Sequence, residues 1–94
     1  MKKSKAYQPD FIESLRDARE AEEYLNAALE EDDPELFLLA LRNVAEAQRG
    51  VSQLAEFNRE SLYKMLSERG NPEFRSIDAL LHALGFRLTV TANR

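Results

Sequence analysis

Residues 51–68 read VSQLAEFNRESLYKMLSE, two short helical patterns that meet at Asn58. The first pattern runs from Val51 to Phe57. The second runs from Arg59 to Glu68, and Asn58 has the side chain of a helix N-cap. Two short helices joined by a tight turn are typical of a helix-turn-helix, in which the second helix enters the major groove of DNA. We therefore predict a helix-turn-helix over residues 51–68.

The outward positions of the second helix carry side chains that can read DNA. Arg59 can pair bidentately with guanine, Glu60 can accept a hydrogen bond from cytosine, and Lys64 can reach guanine or a phosphate. The candidate DNA-binding residues are these outward positions and the asparagine of the following Gly-Asn-Pro turn: Arg59, Glu60, Ser61, Tyr63, Lys64 and Asn71. A plain helical bundle with a solvated polar face would show the same pattern.

Two longer helices are predicted before this pair. Asp17 and Glu20 have the spacing of a capping box, in which Asp17 is the N-cap and Glu20 reaches back to it. Asp33-Pro34 is a strong start signal for the next helix, which Gly50 would end. The acidic run 30–33 is unfavourable at a helix C-terminus, so we expect the end of the first of these helices to fray.

A fifth helix and a strand are predicted after the pair. Ser76 is the expected N-cap of the helix and Gly85 its C-terminal stop. Phe86, Leu88 and Val90 then alternate with polar residues, as in a half-buried strand. Such a strand would pair with its symmetry mate, with the sheet edge of a partner, or with a groove of its own domain.

The expected fold is therefore all-α, with five helices and a short C-terminal β-strand. A chain of 94 residues forms one domain. We assign this domain to residues 17–94. Residues 1–16 contain no strong element, and we interpret them as an arm that is flexible or docks on a partner.

The charge is unevenly distributed along the chain. Residues 1–58 contain 7 Lys/Arg and 13 Asp/Glu, a net charge of −6, whereas residues 59–94 contain 6 and 4, a net charge of +2. An acidic N-terminal half fits a basic protein partner, and a mildly basic C-terminal half is compatible with phosphates.

Enzymatic chemistry has little support in the composition. The chain has no cysteine, which excludes disulfides and thiol nucleophiles. Its one histidine, His82, has no evident carboxylate or serine partner in the sequence, and the paired acids lack the spacing of a calcium loop. We expect no catalytic residue, cofactor or metal. The aromatic residues at helix positions and element ends are expected to pack in the core: Tyr24, Phe37, Phe57, Phe74 and Phe86.

The polar stretch after Met1 and the lack of a long apolar segment predict a cytoplasmic protein without a signal peptide or membrane span.

The run RESLYKMLS at 59–67, followed by Gly70-Asn71-Pro72 and by the pattern of residues 77–88, resembles the C-terminal signature of the addiction-module antidote family. The similarity extends upstream to about Tyr24. The resemblance implies a HigA-like antitoxin with a Cro/lambda-repressor type fold. Such a protein binds and neutralises a RelE/HigB-like toxin and, as a homodimer, binds operator DNA to repress its own operon.

One departure from the family pattern concerns the turn of the helix pair. The segment between Leu54-Ala55 and Asn58-Arg59 is shorter than the resemblance implies and lacks its turn glycine. Two other functions agree with the same residues. One is a stand-alone helix-turn-helix repressor, and the other is a helical protein-interaction module that does not bind DNA.

Overall fold

The structure is a computed structural model that describes residues 8–49, 59–66 and 71–92. Within these ranges the protein is helical. The helices are α1 (Gln8–Ser14), α2 (Ala18–Glu30), α3 (Pro34–Gln48), α4 (Arg59–Met65) and α5 (Phe74–Ala83). The predicted helix over Val51–Phe57, the stop at Gly50 and the end of the predicted fourth helix at Glu68 lie outside the described residues.

Helix α3 forms the centre of the packed unit, and both α1 and α2 pack against it. Its sequence begins as predicted, because the Asp33 carboxylate accepts hydrogen bonds from the backbone N–H groups of Glu35 and Leu36 at 3.1 and 3.3 Å. Pro34 stands in the first turn, where a missing N–H costs nothing. The largest fully buried side chains come from four separate segments: Leu15, Leu41, Val44, Leu66 and Leu80.

Helix α1 was not among the predicted elements. Leu15, directly after it, is fully buried, and the ring of Phe11 packs edge-on against Tyr24 with centroids 5.0 Å apart. The buried side-chain amide of Gln48 donates hydrogen bonds of 3.0 Å to the backbone carbonyls of Leu15 and Arg16. Residues 8–16 are therefore part of the packed unit. A helix of seven residues is unstable alone, so tertiary contacts stabilise α1.

The predicted N-cap of α2 is confirmed. The Asp17 carboxylate accepts hydrogen bonds from the N–H groups of Arg19 and Glu20 at 2.8 and 3.1 Å. The reciprocal half of the capping box is replaced by a different contact, because the Asp17 N–H donates to the Ser14 carbonyl at 3.2 Å as the chain leaves α1. Helix α2 ends at Glu30, and Asp32 turns the chain with a positive φ of 55°.

Helix α5 begins before the predicted cap. Its N-cap is Glu73 and its first residue is Phe74, so the prediction of Ser76 as N-cap was wrong. The Ser76 N–H already donates to the Glu73 carbonyl inside the first turn. The predicted stop at Gly85 is confirmed, because this glycine adopts a φ of 93° directly after the C-cap.

The predicted strand over residues 86–91 is not formed within the single chain. Residues 86–92 have no regular secondary structure, and Val90 is 97% exposed. A strand needs a neighbour with which to exchange hydrogen bonds, and no other strand exists in the described ranges. The prediction of five helices matches the number described, but α1 was not predicted and the predicted helix over 51–57 lies outside the described residues. None of the described helices combines the length and apolar content that crossing a bilayer requires.

Candidate nucleic-acid interface

Helix α4 carries most of the candidate DNA-binding residues. Its inner face is formed by Leu62 and Leu66, which are buried in the core, and by half-buried Met65. On the outer face, Glu60 and Lys64 are exposed to solvent. This division agrees with the predicted orientation of the helix.

The two remaining positions of the α4 first turn are defined only by their backbone. Arg59 and Ser61 belong to the helix, but their side chains lie outside the described part of the structure. Their role in DNA binding stays a prediction.

Tyr63 has a structural role that the sequence did not indicate. Its side chain is half-buried, and its hydroxyl accepts a hydrogen bond of 2.9 Å from Nη2 of Arg49 and donates one to the carboxylate of Glu46. Arg49 and Glu46 also form an ion pair. These three residues, the Glu46–Arg49–Tyr63 cluster, join α4 to the C-terminal end of α3. The Tyr63 hydroxyl is therefore already engaged within the protein.

Helix α4 contacts α3 at separate places. Tyr63 contacts the C-terminal end of α3 through Glu46, and Leu66, directly after α4, lines a depression with Leu36 and Leu39 from the N-terminal half of α3.

Asn71 occupies a different place. It is exposed and lines a cavity with Asp33, Glu35 and Ile77, at the N-terminal end of α3. The thirteen-residue separation between Asp33 and Glu46 corresponds to about 20 Å of helix. The structure therefore places Asn71 beside two carboxylates and away from the Glu46–Arg49–Tyr63 cluster.

His82 has a carboxylate neighbour, contrary to the sequence interpretation. Its Nδ1 lies 3.5 Å from Oδ2 of Asp78, one turn earlier on α5, and both side chains are substantially exposed. Across the described ranges no group of three or more His, Cys, Asp or Glu residues is placed to hold a metal ion. This pair on one helix face is a surface contact, and exposed pairs contribute little to stability.

The aromatic residues divide into two groups. Tyr24, Phe37 and Phe86 are half-buried and pack against the core, as predicted. Phe74 is 69% exposed, so its assignment to the core was wrong. It is the first residue of α5, where a side chain can project past the helix end. Phe57 lies outside the described residues.

These features define a small helical protein in which a short helix, polar on its outer face, is anchored to the central helix. A family model described as "Probable addiction module antidote protein" matches residues 5–92. The chain belongs to this family of addiction-module antidotes. An uncharacterized protein of Haemophilus influenzae is 41% identical over 88 residues, which cover 90% of each chain. No solved structure matches the chain significantly.

Proposed function

We propose that the chain is the antitoxin of a type II toxin-antitoxin module and that it neutralises a RelE/HigB-like toxin in the cytoplasm by binding it. The observation that carries this proposal is the match of the antidote family over residues 5–92. The excess of acidic residues in the N-terminal half supports a basic protein partner. The activity is one of binding, without catalysis by this chain.

Co-expression tests the antitoxin function. The reading frame next to that of this chain is induced alone and together with it, and growth is followed. We expect arrest in the first case and growth in the second. A vector encoding the chain with an early stop codon is the control. Arrest that persists while the intact chain accumulates in soluble form would exclude neutralisation.

We further propose that α4 binds operator DNA and that the protein represses its own operon. Glu60 and Lys64 are exposed on α4, and the Glu46–Arg49–Tyr63 cluster joins α4 to the end of α3. A helix with a polar outer face, anchored to a packed core on its other side, has the form that major-groove reading requires. Arg59 and Ser61 complete the proposed contact surface. Asn71 is left out of it, because it lines a cavity beside two carboxylates, which repel DNA phosphates.

Repression of a symmetric operator would use a homodimer. Two copies of α4 would then enter successive major grooves, about 34 Å apart. A mobility-shift titration on the DNA upstream of the operon tests this, with sedimentation to determine the number of chains bound. Two chains on one palindromic site, with binding that weakens steeply as salt rises, is the expected result. Equal affinity for unrelated DNA would refute operator recognition.

A further inference from the structure

A groove lined by both apolar and polar side chains lies between α2 and the segment that follows α5. Leu25 and Leu29 form one wall, Leu88 lies on the opposite wall, and Phe37 lines the groove from α3. The cavity volume of the groove is about 350 Å³. Leu29 is 47% exposed and Leu88 is 38% exposed, although both are large apolar side chains. Two partly exposed leucines on either side of one groove make it a candidate interaction surface.

Phe37 also lines a second cavity, which includes Pro34, Pro72 and Ile77. The two cavities therefore share one half-buried aromatic side chain.

Five exposed carboxylates follow the groove residue Leu29 in the sequence, at and around the turn between α2 and α3. Pro34 separates the last of them from the first four. They are Glu30, Glu31, Asp32, Asp33 and Glu35. Within the described ranges none of these carboxylates forms an ion pair. Glu22 stands at the groove itself, where Arg87 is the only cation among the lining residues. The groove therefore has exposed leucines at its sides and a run of carboxylates next to Leu29.

We propose that this groove is the docking site for a basic, amphipathic segment of a protein partner. The apolar side chains of such a segment would fill the groove beside Leu29 and Leu88, and its Lys or Arg side chains would meet the acidic turn 30–33. The inference rests on the proposed antitoxin function, since the toxin would supply this segment. It specifies where on the antitoxin the toxin binds.

Charge decides between this occupant and the alternatives. A two-fold contact between copies of this chain through this patch would bring two acidic 30–33 turns into one interface. DNA is excluded from this face for the same reason, because its phosphates are negative. A cationic partner turns the same carboxylates into attractive contacts and speeds association.

Two synthetic peptides test the groove directly. Both are amphipathic helices of about four turns, one built from Leu and Lys and the other from Leu and Glu. Each is titrated into the full chain labelled with ¹⁵N. We expect the Lys peptide to shift the amides of Leu29 and Leu88 and to bind at least about tenfold more tightly than the Glu peptide. Equal affinity, or shifts located elsewhere, would overturn the inference.

Matched variants separate the groove from general surface effects. Leu29→Ser and Leu88→Ser should each lower the affinity for the Lys peptide by about tenfold or more, since truncating an interface anchor typically has this effect. Val90→Ser is the control, because Val90 is 97% exposed and does not line the groove. Leu29 and Leu88 are partly buried, so a thermal melt of each variant first establishes that it is folded, and affinities are compared among folded variants. Equal weakening by Val90→Ser would overturn the assignment.

The toxin itself distinguishes the two proposals. In the growth assay, chains with Leu29→Ser and Leu88→Ser together should lose rescue while Val90→Ser keeps it. Full rescue by the double variant would overturn the groove as docking site and leave the antitoxin function intact. If the parent chain fails to rescue growth, the antitoxin function is wrong, and the peptide titration still decides the groove. A dimer that dissociates on Leu29→Ser would identify a second copy as occupant and would also overturn the inference.

Discussion

The hydroxyl of Tyr63 lies 2.9 Å from Nη2 of Arg49 and so joins the outer helix of the protein to the end of its central helix. Glu46 completes the contact as acceptor for the hydroxyl and ion-pair partner for the guanidinium. The pose of α4 therefore depends on its buried leucines and on this polar cluster. A substitution at Tyr63 should therefore lower both the free energy of unfolding and the affinity of the proposed binding to DNA.

Replacing Tyr63 by phenylalanine removes the hydroxyl and keeps the ring. We expect the free energy of unfolding to fall by about 1 kcal/mol, the net worth of a typical hydrogen bond. Urea denaturation measures this. Glu60→Gln on the exposed side of the same helix is the control, with an expected change within about 0.5 kcal/mol. Equal stability of Tyr63→Phe and the parent would show that the cluster does not hold α4.

Replacing Gln48 by alanine removes the donors that satisfy two backbone carbonyls. The carbonyls of Leu15 and Arg16 would lose their 3.0 Å hydrogen bonds, of which the one to Leu15 is buried. We expect the free energy of unfolding to fall by about 2 kcal/mol. Glu13→Ala on the exposed face of α1 serves as the control. Hydrogen exchange should also show faster opening of residues 8–16 in Gln48→Ala. Unchanged exchange there would contradict the role assigned to Gln48.

Replacing Gly85 by alanine tests the helix stop. A Cβ at this position would meet nothing within 4 Å, so the cost comes only from the backbone φ of 93°. We expect the free energy of unfolding to fall by about 1 to 2 kcal/mol, which is the cost of a left-handed conformation for an L-residue with a side chain. Gly85→Asn should cost less, since asparagine tolerates positive φ better. A thermal melt in which Gly85→Ala equals the parent would show that the turn rearranges freely.

The parts of the fold that were predicted correctly depend on local interactions. Asp17, Asp33 and Gly85 act within a few residues of their own positions, so their residue types alone indicate helix ends. The all-helical class follows from the same periodicity. The strand at residues 86–91 was predicted from an equally local alternation, but a strand requires a neighbour that local sequence does not supply.

The parts that were missed depend on contacts distant in the sequence. Helix α1 is held by Gln48, whose hydrogen bonds reach back 33 and 32 residues to Leu15 and Arg16. Similarly, Tyr63 forms hydrogen bonds with Arg49 and Glu46, which are 14 and 17 residues away in the sequence. No sequence pattern within α1 or α4 predicts these partners. The helix at Arg59–Met65 was therefore predicted correctly and the residues that position it were not, while its binding of DNA stays a prediction.

Replacing Lys64 by alanine tests the proposed DNA contact. We expect binding to the upstream DNA to weaken by about 1 to 3 kcal/mol if Lys64 reads a base. If Lys64 contacts a phosphate instead, the affinity would fall equally for all DNA sequences. The slope of log affinity against log salt concentration would then decrease by about one. Arg19→Ala, an exposed change on α2, is the matched loss of one positive charge. Equal losses for the two variants would assign the effect to net charge and not to α4.

Neutralisation is measured most directly by titrating the purified chain into a cell-free translation reaction that the product of the adjacent reading frame has inhibited. A direct antitoxin should restore translation in proportion to its amount, with full recovery near stoichiometric binding, and the two proteins should then elute as one complex. Translation that stays inhibited at a large excess of folded chain, with the two proteins eluting separately, would contradict the account.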